Sequence, residues 1–374
     1  MPKKYKLKNF DFLLVIFAIA ISTYGIFIIG SAREAYQKRQ SIGLLIGVIV
    51  MLIAAFIDYS TVLIFHWFYY IASTILLLAV VVQGRGSHGA TRWINIAGIQ
   101  FQPSSMAKLL LILFFAKLIM KYRAKMKRTG VIFLMLGFFL PQWYLIYREP
   151  DLSTSIVFFL IFASMILIGG ISWKFIIAVL SVTVPLSVLG IMLILSPNQE
   201  IIKGYQQDRI LAWLQPDKYA STEGYQQQNS IVAIGSGMLR GKGYKNNEVG
   251  SVKNGNFIAE PQTDFIFAIV GEELGFIGSM TIIILDFLIV LEILKIGWGS
   301  SDMSGTLICS GVAAHIGFQT FMNIAVTTGL MPNTGIPLPF VSYGLTELIC
   351  LFIEIGVVLN VGLLRERDNV RLFE

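Results

Sequence analysis

The sequence predicts an all-α membrane protein that crosses the bilayer ten times. Of its 374 residues, 55% are hydrophobic and only 14% are charged, and the mean hydropathy is +0.72. A soluble domain carries about 25% charged residues. A membrane-spanning helix needs roughly 20 consecutive apolar residues, and such stretches recur along almost the whole chain. This composition excludes a soluble enzyme, a disordered chain and a disulfide-stabilised secreted domain.

Ten apolar segments are the predicted spans. They lie at about 10–30, 40–57, 62–82, 104–120, 130–147, 152–169, 173–195, 264–294, 304–330 and 340–363. The first segment is longer than the roughly 7–15-residue apolar core of a signal peptide. We therefore interpret it as an uncleaved helix, although the small residues at 30–32 would suit a cleavage site. Gly43 and Gly47 in the second segment have the spacing of a helix-packing face.

Lysine and arginine are concentrated before the first segment, in the loop at 121–128 and after the last segment. Clusters of this kind mark the cytoplasmic side of a membrane and contact anionic lipid headgroups. They predict a multi-pass protein of the cytoplasmic membrane with both termini cytoplasmic. They also account for the net charge of +7 with membrane lipids as partners and no nucleic acid.

Residues 1–374 are predicted to form a single membrane domain with one long loop at 196–263, between the seventh and eighth segments. The loop is polar and rich in Gly, Gln and Asn, and the topology makes it extracytoplasmic. Two stretches, Tyr205 to Leu214 and Tyr225 to Met238, mix Gln with apolar residues as short interfacial helices do. Structured loops on a membrane bundle often carry function; the alternative is a passive connector.

Ionisable residues at the outer ends of the segments are candidates for chemistry, because charges inside a membrane are costly. Asp264 opens the eighth segment and is either a helix-start residue or a carboxylate base at the membrane boundary. Lys108, near the start of the fourth segment, either snorkels to the headgroups or faces a polar cavity that Arg92 also reaches. Asp151 begins the sixth segment and is either a helix cap or a site residue.

The other sequence features are less specific. Glu272 and Glu273 are embedded in apolar sequence and need a partner or water. The stretch 235–243 resembles a phosphate-binding loop but lacks its first Gly and its Ser or Thr. The histidines and cysteines have no metal-ligand spacing, and the prolines within 331–339 end any helix there.

Five sequence blocks carry a resemblance to a known family. They are RWINIAGIQFQPSSMAKL (92–109), REPDLSTS (148–155), YQQQNSIVAIGSGMLRGKGY (225–244), AEPQTDFIFAIVGEELGFIG (259–278) and TGLMPNTGIPLPFVSYG (328–344). In these blocks and their spacing the chain resembles the SEDS family (shape, elongation, division and sporulation), the RodA/FtsW/SpoVE-type proteins, over essentially its whole length. The wording of the Q-P-S and G-I-P-L-P-F-V-S-Y-G blocks is closest to the RodA type.

The resemblance implies a peptidoglycan glycosyltransferase that polymerises lipid II, an undecaprenyl-linked disaccharide-peptide, at the outer membrane face for cell-wall synthesis and cell shape. In the family the Asp of the Q-T-D-F block is the catalytic carboxylate, which is Asp264 here. The resemblance also implies a class B penicillin-binding protein, a transpeptidase, as partner. A divalent cation, Mg²⁺ or Mn²⁺, is the one candidate cofactor, although the sequence has no dedicated metal cage. The residues expected to bind substrate are Lys108, Arg92, Asp151, Gln262, Thr263, Ser342, Arg240 and Lys242.

The sequence departs from the family pattern at three places, which concern Lys108 and the ninth outer loop. Ser105 stands where the family usually has Glu after Q-P-S, which leaves Lys108 without that carboxylate partner. Residues 345–347 are Leu-Thr-Glu where the family commonly has Gly-Ser-Ser, and Ser153 replaces a Gly.

Two other functions are compatible with intramembrane charges. A flippase for a polyprenyl-linked cell-wall precursor would predict inverted repeats and helices broken at matching places in two halves, and the sequence shows no such repeat. A non-catalytic scaffold would predict that Asp264 is dispensable.

Overall fold

In the computed structural model, the chain is a bundle of α-helices. The structure describes residues 5–83, 85–87, 90–96, 99–149, 151–194, 204–222, 224–246, 250–251, 254–255 and 257–365. The outermost basic residues predicted to be cytoplasmic, at positions 3, 4, 367 and 371, lie outside these ranges. The helices are α1 (Phe12–Ala32), α2 (Glu34–Ala55), α3 (Tyr59–Val62), α4 (His66–Gln83), α5 (Pro103–Tyr122), α6 (Thr129–Arg148), α7 (Leu152–Ile168), α8 (Trp173–Ile194), α9 (Gly204–Leu214), α10 (Tyr225–Ser236), α11 (Ile266–Trp298), α12 (Met303–Thr327) and α13 (Leu345–Leu363).

Eight helical runs are long and apolar enough to cross a membrane. They comprise α1, α2, α3 continued by α4, α5, α6, α11, α12 and α13. Helices α7 and α8 occupy the sixth and seventh predicted spans, and α7 has 17 residues. The prediction of an all-α polytopic membrane protein is confirmed, whereas the count of ten spans stays a prediction.

A small antiparallel sheet lies between α4 and α5, where no regular structure was predicted. Its strands are β1 (Arg85–Ser87), β2 (Ala90–Ile96) and β3 (Ile99–Phe101), in the order β1-β2-β3. These strands pair with their immediate neighbours along the chain, so the sheet is a local meander on the connection. It leads directly into the first turn of α5.

Helices α5, α12 and α13 form the buried centre of the bundle, with α2 packed along α13. The pair Gly43 and Gly47 makes this close packing sterically feasible. A Cβ atom added to Gly47 would lie 2.7 Å from a ring carbon of Phe352, and one added to Gly43 would lie 2.7 Å from a methyl carbon of Leu345. Small residues at both positions therefore let the two helices approach.

The predicted eighth span is interrupted. Gly275, inside α11, has φ 64° and ψ −157°, a backbone conformation that non-glycine residues rarely adopt. Residues 237–243 of the long loop pack into this break, and the amide of Phe276 donates to the carbonyl of Met238 (2.8 Å). The loop thus satisfies backbone groups that the broken helix leaves unpaired.

The long loop contains helices at both predicted positions, and α10 ends two residues before the predicted limit. The loop packs on the C-terminal end of α12. The indole of Trp213 donates to the carbonyl of Gly329 (2.9 Å), and the hydroxyl of Ser230 donates to that of Thr327 (2.8 Å). The location of α9 and α10 at the membrane interface stays a prediction.

Candidate active site

The segment Gln262–Asp264, just before α11, is anchored by hydrogen bonds that its three backbone carbonyls accept. The first carbonyl accepts from the amide of Tyr343 (2.9 Å). The second accepts from the hydroxyl of Ser342 (2.6 Å), and the third from the side-chain amide of Asn323 (2.8 Å). Gln262 is buried, whereas the two residues after it are half-buried. Because the main chain is fixed on one side, the Asp264 side chain is presented from a rigid support.

The proline-rich stretch 331–344 is the main part of that support. Residues 331–339 are not helical, as predicted, but the non-helical stretch continues to 344, so α13 begins at Leu345 and not at 340 as predicted. Its carbonyls are bound from two helices: Asn323 of α12 donates to Ile336 (2.7 Å), and Ser153 of α7 donates to Thr334 (2.8 Å). Irregular backbone at this depth is tolerated because protein groups satisfy it.

The two candidate aspartates differ in how they relate to their helices. Asp151 is the N-cap of α7: one carboxylate oxygen accepts from the amide of Thr154 (3.1 Å) and the other from its hydroxyl (2.8 Å). In α11 the N-cap position is occupied by Phe265, whose side chain makes no capping bond. The geometry therefore favours the helix-cap interpretation for Asp151, whereas Asp264 lies one residue before the N-cap position of α11.

Lys108 is buried in the bundle and does not snorkel to the headgroups. Its ammonium donates to Glu347 Oε1 and to Gln319 Oε1, each at 2.7 Å. His315 lies behind them, with Nε2 3.1 Å from Gln319 Oε1 and Nδ1 2.8 Å from Glu354 Oε2. Lys108 is thus part of a polar network contributed by α5, α12 and α13.

The loop cations differ in exposure. Arg240 is exposed, whereas Lys242 forms an ion pair with Glu272 (3.0 Å) next to the α11 break. Glu273 accepts from the hydroxyl of Ser31 at 2.6 Å. These contacts supply the polar partners that the two glutamates were expected to need.

Arg92 lies in β2, on the connection that leads into α5, and its side chain lies outside the described part of the structure. Within that part, no group of three or more His, Cys, Asp or Glu side chains could hold a metal ion.

Sequence reasoning missed the polar residues that support the candidate site. His315, Gln319 and Asn323 are buried and four residues apart, so they occupy one face of α12. This spacing within an apolar segment was the signal that could have identified them. Glu347 was noted only as a departure from the family pattern.

Fold and site together define a polytopic membrane protein with a half-buried carboxylate at the head of a broken helix. Comparison with known proteins places it more narrowly. A family model described as cell cycle protein, FtsW/RodA/SpoVE, matches residues 6–367, and the chain belongs to this family. The resemblance found in the sequence blocks is thereby confirmed.

Named relatives cover nearly the whole chain. The probable peptidoglycan glycosyltransferase FtsW of Geobacter sp. (strain M18) is 31% identical over 375 residues, which are 96% of this chain and 98% of the relative. The peptidoglycan glycosyltransferase MrdB of Escherichia coli (strain K12) is 31% identical over 359 residues, 94% of this chain and 93% of the relative.

Solved structures agree. A chain from a peptidoglycan synthase complex that coordinates polymerisation and crosslinking matches with a TM-score of 0.78 at 28% identity, covering 94% of this chain and 97% of that one. The crystal structure of the rod shape determining protein RodA of Thermus thermophilus matches with a TM-score of 0.70 at 26% identity, covering 96% and 98%.

Proposed function

We propose that this chain is a peptidoglycan glycosyltransferase that polymerises lipid II at the outer face of the cytoplasmic membrane, with Asp264 as general base. The glycosyltransferase activity is that of its named relatives, which align along nearly its full length. The observation that supports Asp264 is its setting: it is a half-buried carboxylate on a segment whose three successive backbone carbonyls accept hydrogen bonds from the surrounding protein.

The reaction needs only one carboxylate. The 4-hydroxyl oxygen of one sugar unit attacks C1 of the donor, and the bond between C1 and the diphosphate oxygen breaks. The hydroxyl proton passes to Asp264, and the bonding electron pair leaves with the diphosphate. The leaving group needs no proton, unlike the leaving groups of two-carboxylate glycosidases. Direct displacement inverts the anomeric centre, from an α-linked donor to a β-linked strand.

The charge of the leaving diphosphate must be met by cations. Lys108 is the first choice, since one of the three N–H donors of its ammonium has no acceptor among the described residues. Arg92 and Arg240 are further candidates. Lys242 is a weaker one because it is paired with Glu272. A divalent cation would arrive with the diphosphate, because the described part of the chain offers no group of acidic, His or Cys ligands for it.

An open apolar groove is suited to the polyprenyl tail. It lies between α7, α11 and α12, has a cavity volume of about 680 Å³, and is lined in part by Met331, where the proline-rich stretch begins. Ile156, Leu160 and Phe321 are among its walls. A lipid chain in this groove would leave its diphosphate near the stretch that supports Asp264.

Strand crosslinking requires a partner. The described residues form membrane helices and their connections, so we assign transpeptidation to a class B penicillin-binding protein. The match to a chain of a synthase complex that couples polymerisation to crosslinking supports this assignment. In the same proposal both termini are cytoplasmic, which places the Asp264 end of the bundle outside.

The test is polymerisation of labelled lipid II in detergent by the purified chain with a partner that has no glycosyltransferase module. In detergent there is no bilayer with two sides, so flippase activity gives no product in this assay, whereas a glycosyltransferase makes glycan strands. Strands that require the chain support the proposal. A folded chain that makes none, but moves lipid II across the bilayer of a vesicle, would establish the flippase instead.

A further inference from the structure

A charge cluster lies in the centre of the bundle, near but separate from Asp264. We use this name for Lys108 of α5, His315 and Gln319 of α12, and Glu347 and Glu354 of α13. Each of these five residues is less than a tenth exposed. Charges at such depth in a membrane protein are costly and usually mark function.

Hydrogen bonding fixes the orientation of the side chains in this cluster. The amide of Gln319 accepts from Lys108 through its oxygen and donates to Glu347 through its nitrogen (3.0 Å), so the amide cannot be flipped. His315 lies with Nε2 3.1 Å from that amide oxygen and Nδ1 2.8 Å from Glu354 Oε2, so the ring links α12 to α13. The Lys108 ammonium is paired with the Glu347 carboxylate.

Glu347 is the one carboxylate that pairs with Lys108 among the described residues. On α5 itself the position three residues before Lys108, which faces the same side of the helix, is the buried Ser105. The counter-charge therefore comes from α13 and not from the helix that carries the lysine.

The cluster is tied to the Asp264 segment through one helix. Gln319 donates to the carbonyl of Pro337 (3.0 Å). One turn further along α12, Asn323 donates to the carbonyls of Ile336 (2.7 Å) and Asp264 (2.8 Å). The Lys108 ammonium and the Asp264 backbone thus share a single rigid support.

We propose that Glu347 is a positioning residue for glycosyl transfer: its carboxylate holds the Lys108 ammonium so that the remaining N–H donor meets the donor diphosphate. This inference rests on the proposed function, in which Lys108 stabilises the leaving group. That charge develops in the transition state, so loss of Glu347 acts on kcat more than on KM.

The experiment compares Glu347→Gln with a variant in which the carboxylate is relocated, Ser105→Glu/Glu347→Gln. Glu292→Gln is the matched control, because Glu292 pairs with the exposed Lys295 near the far end of α11. Polymerisation of lipid II gives kcat and KM, and thermal unfolding reports the fold of each variant.

We expect Glu347→Gln to lower kcat at least about 10-fold while KM changes less than about threefold, since a transition-state contact is weakened. The double variant with the relocated carboxylate should restore kcat to at least roughly a third of the wild-type value, and Glu292→Gln should match wild type. A merely structural role would lower the thermal stability of Glu347→Gln and leave kcat of the folded enzyme unchanged.

Wild-type kinetics in Glu347→Gln would overturn the inference. The inference would also be overturned if Ser105→Glu/Glu347→Gln folds but is no more active than Glu347→Gln. If Glu347→Gln does not fold, the activity of the double variant is compared with wild type instead. Failure of the proposed function looks different, because then the wild type itself makes no strands.

Discussion

Replacement of Gly275 by Ala should destabilise the protein at the break in α11. The residue has φ 64° and ψ −157°, a region essentially restricted to glycine. An added Cβ would meet the amide nitrogen of Gly241, and it would lie 2.8 Å from the amide nitrogen of Arg240. Both neighbours are backbone atoms of the loop that packs into the break, so no side-chain rotation can relieve the overlap.

The magnitude follows from two costs. A non-glycine residue held in a sparsely populated conformation costs about 1–3 kcal/mol. Overpacking by one methyl group against atoms that cannot move aside costs typically about 1–3 kcal/mol more. Gly275→Ala should therefore lower the free energy of unfolding by about 2–6 kcal/mol.

Denaturant unfolding of the purified protein in detergent measures this effect, with Gly137→Ala as the control. Gly137 is also inside a helix, but an added Cβ there meets nothing within 4 Å, so Ala should be neutral or stabilising by up to about 1 kcal/mol. Equal stability of Gly275→Ala and Gly137→Ala would refute the account of the break.

Two further substitutions separate the active site from general stability. Asn323→Leu removes the donor to the carbonyls of Asp264 and Ile336, and leaving a buried carbonyl unsatisfied costs about 1–3 kcal/mol. The substitution should lower kcat for lipid II polymerisation at least about 10-fold. An unchanged kcat would contradict the role of Asn323 in positioning Asp264. Asn360→Leu removes hydrogen bonds to Ala55 and Tyr59 at the other end of the bundle. It should lower thermal stability while kcat stays within about threefold of wild type. A selective loss of kcat would contradict this separation and show that the two ends are coupled.

Much of the fold could be predicted because each span is a local property of the chain. Apolar runs give the helices, and the prolines of 331–339 give the irregular stretch. The head of α11 was identified because a charged residue, Asp264, sits where polar loop sequence meets apolar sequence.

The break at Gly275 and the loop that packs into it could not be predicted. Gly275 lies among other glycines in an apolar run, so its sequence context resembles that of a continuous span. What fixes the break is backbone hydrogen bonding to a segment more than 30 residues earlier in the chain, which leaves no periodic signal.

The counter-charge of Lys108 was missed for the same physical reason. The sequence showed a lysine whose expected partner, three residues before it, was a serine. It also showed an unexplained glutamate at position 347. Glu347 becomes the partner of Lys108 only because α5 and α13 pack together, although the two residues are 239 positions apart in the sequence.

The most direct test of the central claim is lipid II polymerisation by Asp264→Asn, which keeps the shape of the side chain but removes the base. Glu260→Gln is the matched control, since Glu260 is an exposed carboxylate four residues earlier in the same loop. We expect Asp264→Asn to lower kcat by about 10²–10⁴-fold with unchanged thermal unfolding, while Glu260→Gln polymerises like wild type. Strand formation by folded Asp264→Asn at the wild-type rate would contradict the assignment of Asp264 as the general base.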